Sequence, residues 1–277
     1  MSTDIAALET KAKEIRKWIV ETLVTCGAGH AGGALSSAEI FAALYFDILR
    51  VKPEDPCWPD RDRFILSKGH SSIGLYSTLF LSGFISKEQL LTFRQNGSNL
   101  SGHPDMQKVP GVEMSTGSLG HGLSAGIGHA LSGKMDKKDY RVFVLVGDGE
   151  SQEGSIWESA MFAHHYNLDN LTVIVDRNGI QIDGFTEDIM SLEPYADKWR
   201  AFGWAVREIN GHDMKQVVTA LKETPFTTGK PSVIIAKTTK GKGVSFMENT
   251  NQWHGGAPKG ELAQKALAEV NAALSKV

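Results

Sequence analysis

The sequence predicts an α/β fold in which a mostly parallel sheet carries helices on both faces. Short apolar runs of strand length recur along the chain, and stretches with helical periodicity separate them. This alternation favours parallel strands joined by crossover helices. The chain has 277 residues, which is long enough to bury one large core, so we expect a single domain over 1–277.

The amino-terminal part is expected to contain more helix than strand. The first helix is amphipathic, and a second apolar-periodic stretch follows a glycine-rich turn. The run FILS predicts a short buried strand at 64–67, and Ser86 and Gln89 have the spacing of a capping box. The Gly- and Ser-rich loop over 96–121 is longer than most structureless connections, which indicates a functional role. The predicted helices of this part are 4–25, 36–50, 73–84 and 87–95.

Strands and helices alternate regularly through the rest of the chain. Each predicted strand is a short apolar run, and each intervening helix has one apolar face. Consecutive units of this kind place their strands side by side and parallel. The predicted strands are 141–147, 171–175, 204–209 and 232–237, and the predicted helices are 122–134, 155–168, 194–203, 214–223 and 261–277.

Composition and charge exclude several classes of protein. The chain is 41% apolar and 22% charged, with a formal net charge of −3, as in ordinary soluble globular proteins. Its scattered Lys and Arg residues form no basic stripe for nucleic acid. No apolar run reaches the ~20 residues that span a bilayer, and the amino terminus lacks an apolar signal segment. We therefore expect a cytoplasmic protein that binds neither nucleic acid nor a membrane.

Polar turns follow two of the predicted strands. Asp148 comes directly after one strand, and Asn178 follows the next strand along the chain. Because the carboxyl ends of parallel strands meet at one edge of a sheet, these side chains can converge on one cation. The backbone carbonyl of Ile180 could supply a third oxygen. Such a set leaves part of an octahedral shell open, which suits Mg²⁺ bound together with phosphate and water.

These turns belong to a longer series of motifs. A GDG turn at 147–149 followed by an Asn-Gly turn at 178–179 resembles the fingerprint of thiamine-diphosphate enzymes. The surrounding blocks resemble, in order and over nearly the whole chain, the N-terminal, diphosphate-binding part of the transketolase family. These blocks are GAGHAGGALSSAEI, DRFILSKGH, GHPD, STGSLGHGLSAGIG, GDGESQEGSIWESA, DRNGIQIDG, AKTTKGKGVSFMEN and WHGGAP.

The resemblance implies a thiamine-diphosphate-binding fold and assigns residues to the cofactor. It implies that Asp148, the Asn178 side chain and the Ile180 carbonyl ligate Mg²⁺, for which Ca²⁺ or Mn²⁺ could substitute. The backbone of Gly149 would meet the diphosphate, and Leu119 would lie against the rings of the cofactor. The residues that match the other cofactor-binding positions are His70, Gly117, Ser118, Glu153, Ile182, Lys240 and His254.

Four histidines match catalytic positions of the family. His30 and His103 match residues that surround the hydroxyls and the reacting carbon of the substrate, whereas His70 and His254 match positions near the diphosphate and the substrate channel. Imidazoles exchange protons near neutral pH, which sugar carbonyl chemistry requires. Taken singly, each is equally consistent with a structural histidine. Glu153 matches an acidic residue near the dimer interface, close to the activating glutamate of the partner domain.

A transketolase resembling this chain would continue through a pyrimidine-binding domain and a C-terminal domain. We expect both on a separate chain, so the resemblance implies the N-terminal subunit of a split transketolase. It would transfer a two-carbon ketol unit from a ketose to an aldose, both sugar phosphates, as in the pentose phosphate pathway. A C-terminal, pyrimidine-binding transketolase subunit would complete the site, and we expect an α2β2 heterotetramer.

Three alternatives stay open on the sequence. A 1-deoxyxylulose-phosphate synthase subunit uses similar metal chemistry, but GHPD, STGSLGHG and WHGGAP favour transketolase. The keto-acid dehydrogenases also separate these domains between chains, but the phosphorylation-type loop of their α chain is not found. A non-catalytic cofactor-binding or assembly protein would share the motifs and lack ketol transfer.

Overall fold

A computed structural model describes residues 3–275, and its five strands form one sheet in which every neighbouring pair is parallel. The order across the sheet is β1-β2-β3-β5-β4. Val, Ile, Leu and Phe fill the three central strands, as expected for strands buried on both faces. The strands are β1 (Arg63–Leu66), β2 (Val142–Gly147), β3 (Leu171–Arg177), β4 (Ala205–Asn210) and β5 (Ser232–Lys237).

Helices cover both faces of the sheet, which confirms the predicted fold class. Alternate side chains of the strands enter two separate apolar cores, one on each face. No helix within residues 3–275 combines the length and the apolar character needed to cross a membrane. The helices are α1 (Ile5–Cys26), α2 (Gly32–Ser36), α3 (Ala38–Ala43), α4 (Ser72–Leu81), α5 (Lys87–Leu90), α6 (His121–Met135), α7 (Gly154–His165), α8 (Thr186–Ile189), α9 (Tyr195–Ala201), α10 (Met214–Lys222) and α11 (Gly260–Leu274).

Two predicted helices differ from the structure in the amino-terminal part. The stretch predicted as one helix over 36–50 contains α3 and a π-helical turn over Leu44–Ile48, and α2 precedes it in the predicted glycine-rich turn. The helix predicted over 87–95 keeps only its first turn. The capping box at its start is confirmed, since the Ser86 hydroxyl accepts from Gln89 N at 3.2 Å. Arg94, however, has a left-handed φ of 58°, and its N–H donates to the Leu100 carbonyl.

The remaining elements lie close to their predicted positions. The loop over 96–121 contains turns and no helix until α6 begins at its end. The short helix α8 was not predicted, because a single turn has too few residues to establish a period. The final helix was predicted to run to 277, and its last two residues lie outside the described part of the chain.

Two glycines of α6 offer a matched test of how this helix packs on the sheet. A Cβ at Gly126 would lie 2.5 Å from Val144 Cγ2, whereas a Cβ at Gly128 would meet no atom within 4 Å. Val144 is buried and β-branched, so it has little room to move. We expect Gly126→Ala to lower the free energy of unfolding by about 1–3 kcal/mol. Gly128→Ala should raise it by up to about 1 kcal/mol.

Denaturant unfolding of the two variants measures both values. Equal effects of the two substitutions would contradict the close approach of α6 to β2.

Candidate functional site at the carboxyl edge of the sheet

The turns after β2 and β3 are hydrogen-bonded to each other through Asp148. This side chain is 2% exposed, and its Oδ2 accepts from Gly179 N at 2.5 Å, in the turn after β3. The other oxygen, Oδ1, accepts from Gly149 N at 2.8 Å. Gly179 has a φ of 76°, a left-handed conformation that glycine adopts without strain. The predicted convergence of the two strand exits is therefore present in the structure.

The three atoms expected to ligate a cation belong to these two turns. Asn178 Nδ2 donates to Asp176 Oδ2 at 2.8 Å, which fixes the amide so that Oδ1 is its acceptor end. That oxygen accepts from Ile180 N at 3.1 Å. The carbonyl of Ile180 accepts from the Lys240 ammonium at 2.7 Å. One carboxylate, one amide oxygen and one carbonyl are thus available for a hard cation.

The Asp148 carboxylate lies among charged groups, and Arg177 Nη1 is 3.3 Å from its Oδ2. Burial, followed by the neighbouring Asp176 carboxylate, raises the pKa of Asp148, so a nearby positive charge would stabilise its ionised form. The Lys240 ammonium already stands against the Ile180 carbonyl as a positive group. Within residues 3–275 no three His, Cys, Asp or Glu side chains form a metal-binding group. A donor set of one carboxylate, one amide oxygen and one carbonyl, without a Cys or His ligand, is of the kind that oxygen-ligated ions such as Mg²⁺ prefer over zinc.

A cavity of about 350 Å³ opens beside these turns, and most of the predicted site residues line it. Of the predicted residues, His103 and Ser118 lie outside its lining. A larger depression of about 960 Å³ lies along α7, and none of the predicted site residues lines it. The predicted residues that line the smaller cavity are His30, His70, Gly117, Leu119, Asp148, Gly149, Glu153, Asn178, Ile180, Ile182, Lys240 and His254.

The four histidines expected to be catalytic form one cluster. The ring centroids of His70 and His254 are 5.1 Å apart, and those of His30 and His70 are 5.4 Å apart. His103 is more peripheral, with its ring 6.5 Å from that of His30. Within the described residues, the buried Nδ1 of His30 has no hydrogen-bond partner. An unpaired polar atom at the cavity is available to a ligand.

Burial and nearby cations lower the pKa values of three of these imidazoles, those of His30, His70 and His254. Burial, followed by the charge of Lys68, holds the pKa of His70 well below its ordinary value. Burial and then Lys240 lower the pKa of His254 to about 4. Burial and then Arg94 lower the pKa of His30. Neutral imidazoles have both a donor and an acceptor nitrogen, which suits recognition of hydroxyl groups.

Three side chains that sequence reasoning did not select also line or support the cavity. Lys68 is 2% exposed and forms an ion pair of 2.6 Å with the fully buried Asp176. Glu150 is 3% exposed and lines the cavity directly after the GDG turn. The position of a charged residue near the end of β1 and of β3 could have identified Lys68 and Asp176 as candidate site residues. Their pairing reaches across β2, which lies between β1 and β3 in the sheet, and the sequence alone does not show this order.

Comparisons with known proteins identify the family of the chain. The family model described as transketolase, thiamine diphosphate binding domain, matches residues 8–272. The chain belongs to the transketolase family. A protein of Phocaeicola vulgatus named as one of the subunits of apulose-4-phosphate transketolase is 49% identical over 273 residues, which cover 99% of this chain and 97% of that protein.

Other transketolases show how the chain compares in length. A protein of a Clostridium species named as one of the subunits of 6-deoxy-6-sulfo-D-fructose transketolase is 45% identical over 98% of both chains. The crystal structure of transketolase from Campylobacter jejuni overlays with a TM-score of 0.91 at 34% identity, and the overlay covers 98% of this chain and 43% of that one. The chain thus spans less than half of this solved transketolase. These relatives favour transketolase over the synthase and dehydrogenase alternatives.

The depressed pKa of His254 in this transketolase domain predicts sensitivity to acid. Its pKa is about 4 in the folded chain against 6.5 for an unperturbed imidazole, so the unfolded state takes up the proton first as pH falls. The free energy of unfolding should therefore decrease as pH falls through this interval. His254→Gln removes this contribution and should flatten the decrease. Thermal unfolding across the interval measures the effect.

His165→Gln, on the exposed end of α7, is the control and should follow the wild type. A His254→Gln variant that loses stability as steeply as the wild type would contradict the assignment.

Proposed function

We propose that this chain is the N-terminal, cofactor-binding subunit of a two-chain transketolase. The relatives named as transketolase subunits are covered over nearly their whole length, which supports a division of the enzyme between chains. The main support for the proposal is the hydrogen bond from Gly179 N to Asp148. It joins the turn after β2, which holds Asp148, to the turn after β3, which holds Asn178, at the carboxyl edge of the sheet. Thiamine diphosphate, when bound, supplies the chemistry of transferring a two-carbon ketol unit from a ketose to an aldose.

The residues of this chain would hold the diphosphate end of the cofactor. Asp148, Asn178 and the carbonyl of Ile180 provide the protein ligands of Mg²⁺, with Ca²⁺ or Mn²⁺ as substitutes. Gly149 presents its backbone to the diphosphate, and the Lys240 ammonium lies within reach of the same region. The other cofactor contacts in this proposal are His70, Gly117, Ser118, Leu119, Glu153, Ile182 and His254.

The histidine cluster would serve the sugar rather than the metal. His103 stands at the periphery of the cluster, next to His30, and lies outside the lining of the cavity that contains the Asp148 turn. The buried, unpaired Nδ1 of His30 can accept or donate at a substrate hydroxyl, according to tautomer. His70 and His254 line the cavity between this region and the diphosphate side. In this arrangement the four imidazoles orient the sugar and move protons at its oxygens.

A second chain would complete the cavity. Leu119 and Ile182 line it and are the apolar contacts proposed for the rings of the cofactor. Ile182 is 63% exposed in this chain, so a partner could cover it. The partner in this proposal is a C-terminal, pyrimidine-binding transketolase subunit, in an α2β2 heterotetramer in the cytoplasm. The two related subunits are named for different sugars, apulose 4-phosphate and 6-deoxy-6-sulfo-D-fructose. One of these names is a sugar phosphate and the other a sulfonated sugar, so we propose sugars with an anionic group as the substrate class, sugar phosphates among them, and pentose phosphate metabolism as one setting.

Reconstitution tests the two-chain proposal. This chain is assayed alone and with a C-terminal transketolase subunit, with thiamine diphosphate, Mg²⁺ and a panel of ketose phosphate donors. We expect ketol transfer only in the mixture, because the chain alone leaves one side of the cofactor cavity open. Light scattering should give the mass of two copies of each chain.

Full turnover by the chain alone would overturn the division between chains. A mixture that forms the complex and binds cofactor, yet transfers no ketol unit from any donor, would favour the non-catalytic alternative.

Substitution of Asp148 tests the metal assignment. Asp148→Asn keeps the size of the side chain but removes the carboxylate that faces the expected cation. In the assembled complex we expect the Mg²⁺ concentration for half-maximal cofactor binding to rise by at least about 100-fold, the upper range for loss of outer-shell partners. Asp188→Asn, on the surface of α8, is the matched control and should leave it unchanged. Mg²⁺ titration followed by calorimetry measures both, and an unchanged requirement in Asp148→Asn would refute the assignment.

A further inference from the structure

Glu150 is a buried carboxylate in the wall of the cavity, and the roles proposed above leave it unused. It is 3% exposed and directly follows Gly149. Its Oε1 accepts from Gly120 N at 2.8 Å and from the Ser67 hydroxyl. Its Oε2 accepts from Gly147 N at 2.9 Å. Both oxygens are therefore committed to donors of the protein.

These three donors come from three different segments of the fold. Ser67 directly follows β1, Gly147 ends β2, and Gly120 is the residue before α6. Glu150 thus connects two neighbouring strand exits with the end of the long loop over 96–121. The last residues of that loop, 117–119, are the ones expected to lie along the cofactor.

The same short stretch is also anchored at its other end. The Thr116 hydroxyl donates to the Leu66 carbonyl at 2.6 Å, at the end of β1. Gly120 has a φ of 85°, and a Cβ there would overlap Ser155 Oγ at the start of α7. Residues 117–119 therefore lie between two fixed points, one at Thr116 and one at the Glu150 carboxylate.

We propose that Glu150 is a positioning residue that holds the 117–119 stretch at a fixed distance from the GDG turn, and so sets the width of the cofactor site. The proposal rests on the function proposed above, since it concerns the binding of thiamine diphosphate. Glu150 acts through the backbone that it anchors, because both of its oxygens accept hydrogen bonds from donors of the protein. Loss of the anchor would let one wall of the site move away from the other.

The chemistry of the three donors explains why a carboxylate is needed. Two backbone N–H groups and one hydroxyl all point at Glu150, and a carboxylate has acceptors only. A glutamine amide of the same shape has one accepting oxygen and one donating NH₂ group. Its NH₂ group must face the N–H of either Gly120 or Gly147, and that N–H then loses its partner. A buried donor left unpaired is costly, so the loop or the strand exit would shift.

Glu150→Gln tests the proposal by two readouts on the full chain. Amide hydrogen exchange of Gly120 and Gly147, measured without cofactor, should speed up by about 10-fold at one or both positions. The dissociation constant of thiamine diphosphate, measured with saturating Mg²⁺ in the complex with the C-terminal subunit, should rise by on the order of 10-fold. Ketol transfer at saturating cofactor should fall much less than the affinity.

Two further variants separate positioning from general loss of stability. Asp62→Asn removes another fully buried carboxylate, which accepts from Arg50 and Arg141 before β1 begins, at the opposite edge of the sheet. It should lower thermal stability and leave cofactor affinity unchanged. Thr116→Val removes the other anchor with little change of shape, and it should weaken cofactor binding in the same direction as Glu150→Gln. Thr116→Val keeps the test decisive if Glu150→Gln does not fold.

Three results of these measurements lead to different conclusions. Weaker cofactor binding in Glu150→Gln and Thr116→Val, with unchanged binding in Asp62→Asn, supports the proposal. Faster exchange at Gly120 with unchanged cofactor affinity would overturn it, because the carboxylate would then serve stability alone. Failure of the wild-type complex to bind thiamine diphosphate would contradict the proposed function, and the exchange at Gly120 would still show whether Glu150 holds the loop.

Discussion

The carboxylate of Asp176 joins the parts of the sheet edge on which the site is built. It is fully buried and accepts hydrogen bonds from the Lys68 ammonium at 2.6 Å and the Ser36 hydroxyl at 2.7 Å. The Thr238 hydroxyl and the Asn178 amide are its other donors. Burial alone would raise the pKa of Asp176, but Lys68 holds it below its ordinary value. Breaking such a pair costs about 3–5 kcal/mol, so β1, β3 and β5 are held in one arrangement at this edge.

Cationic side chains at this edge also act on the histidines of the site. Asp176 forms an ion pair with Lys68, and the Asp148 carboxylate accepts hydrogen bonds from two backbone N–H groups. These charged groups therefore have partners within the protein. Burial lowers the pKa values of His70 and His254, and the Lys68 and Lys240 ammonium groups lower them further. Three imidazoles of the site have lowered pKa values, and the Lys240 ammonium lies beside the Ile180 carbonyl in the same cavity. In the proposed function the imidazoles would face the hydroxyl groups of the sugar, and the ammonium would face the diphosphate.

The sequence predicted the fold and the centre of the site because both depend on local patterns. Apolar runs followed by GDG and by Asn-Gly predict two strand exits, and the alternation with helices predicts that these strands are parallel neighbours. The support around the centre depends on long-range pairing instead. Lys68 is 108 residues from Asp176, and Glu150 is 83 residues from Ser67. The end of the helix predicted over 87–95 also depends on a contact outside its pattern. Arg94 has a left-handed backbone and donates its N–H to the Leu100 carbonyl, so the helix does not continue as its apolar periodicity predicts.

The distribution of polarity around the cavity connects cofactor binding with assembly. Its floor contains buried polar side chains, whereas Ile182 in its lining is 63% exposed. Phe185, which forms a β-bridge with Ile180, and Met190, whose carbonyl accepts from Gln152, are 55% and 62% exposed. Apolar surface that leaves water contributes about 25 cal/mol per Å² to association. If the proposed partner covers these apolar side chains, the surface that binds the second chain is continuous with the surface that would contact the rings of the cofactor. Binding of either then changes the free energy of binding the other, and this coupling must be equal in both directions. A cofactor that strengthens assembly by a given factor is therefore held more tightly, by the same factor, in the assembled enzyme.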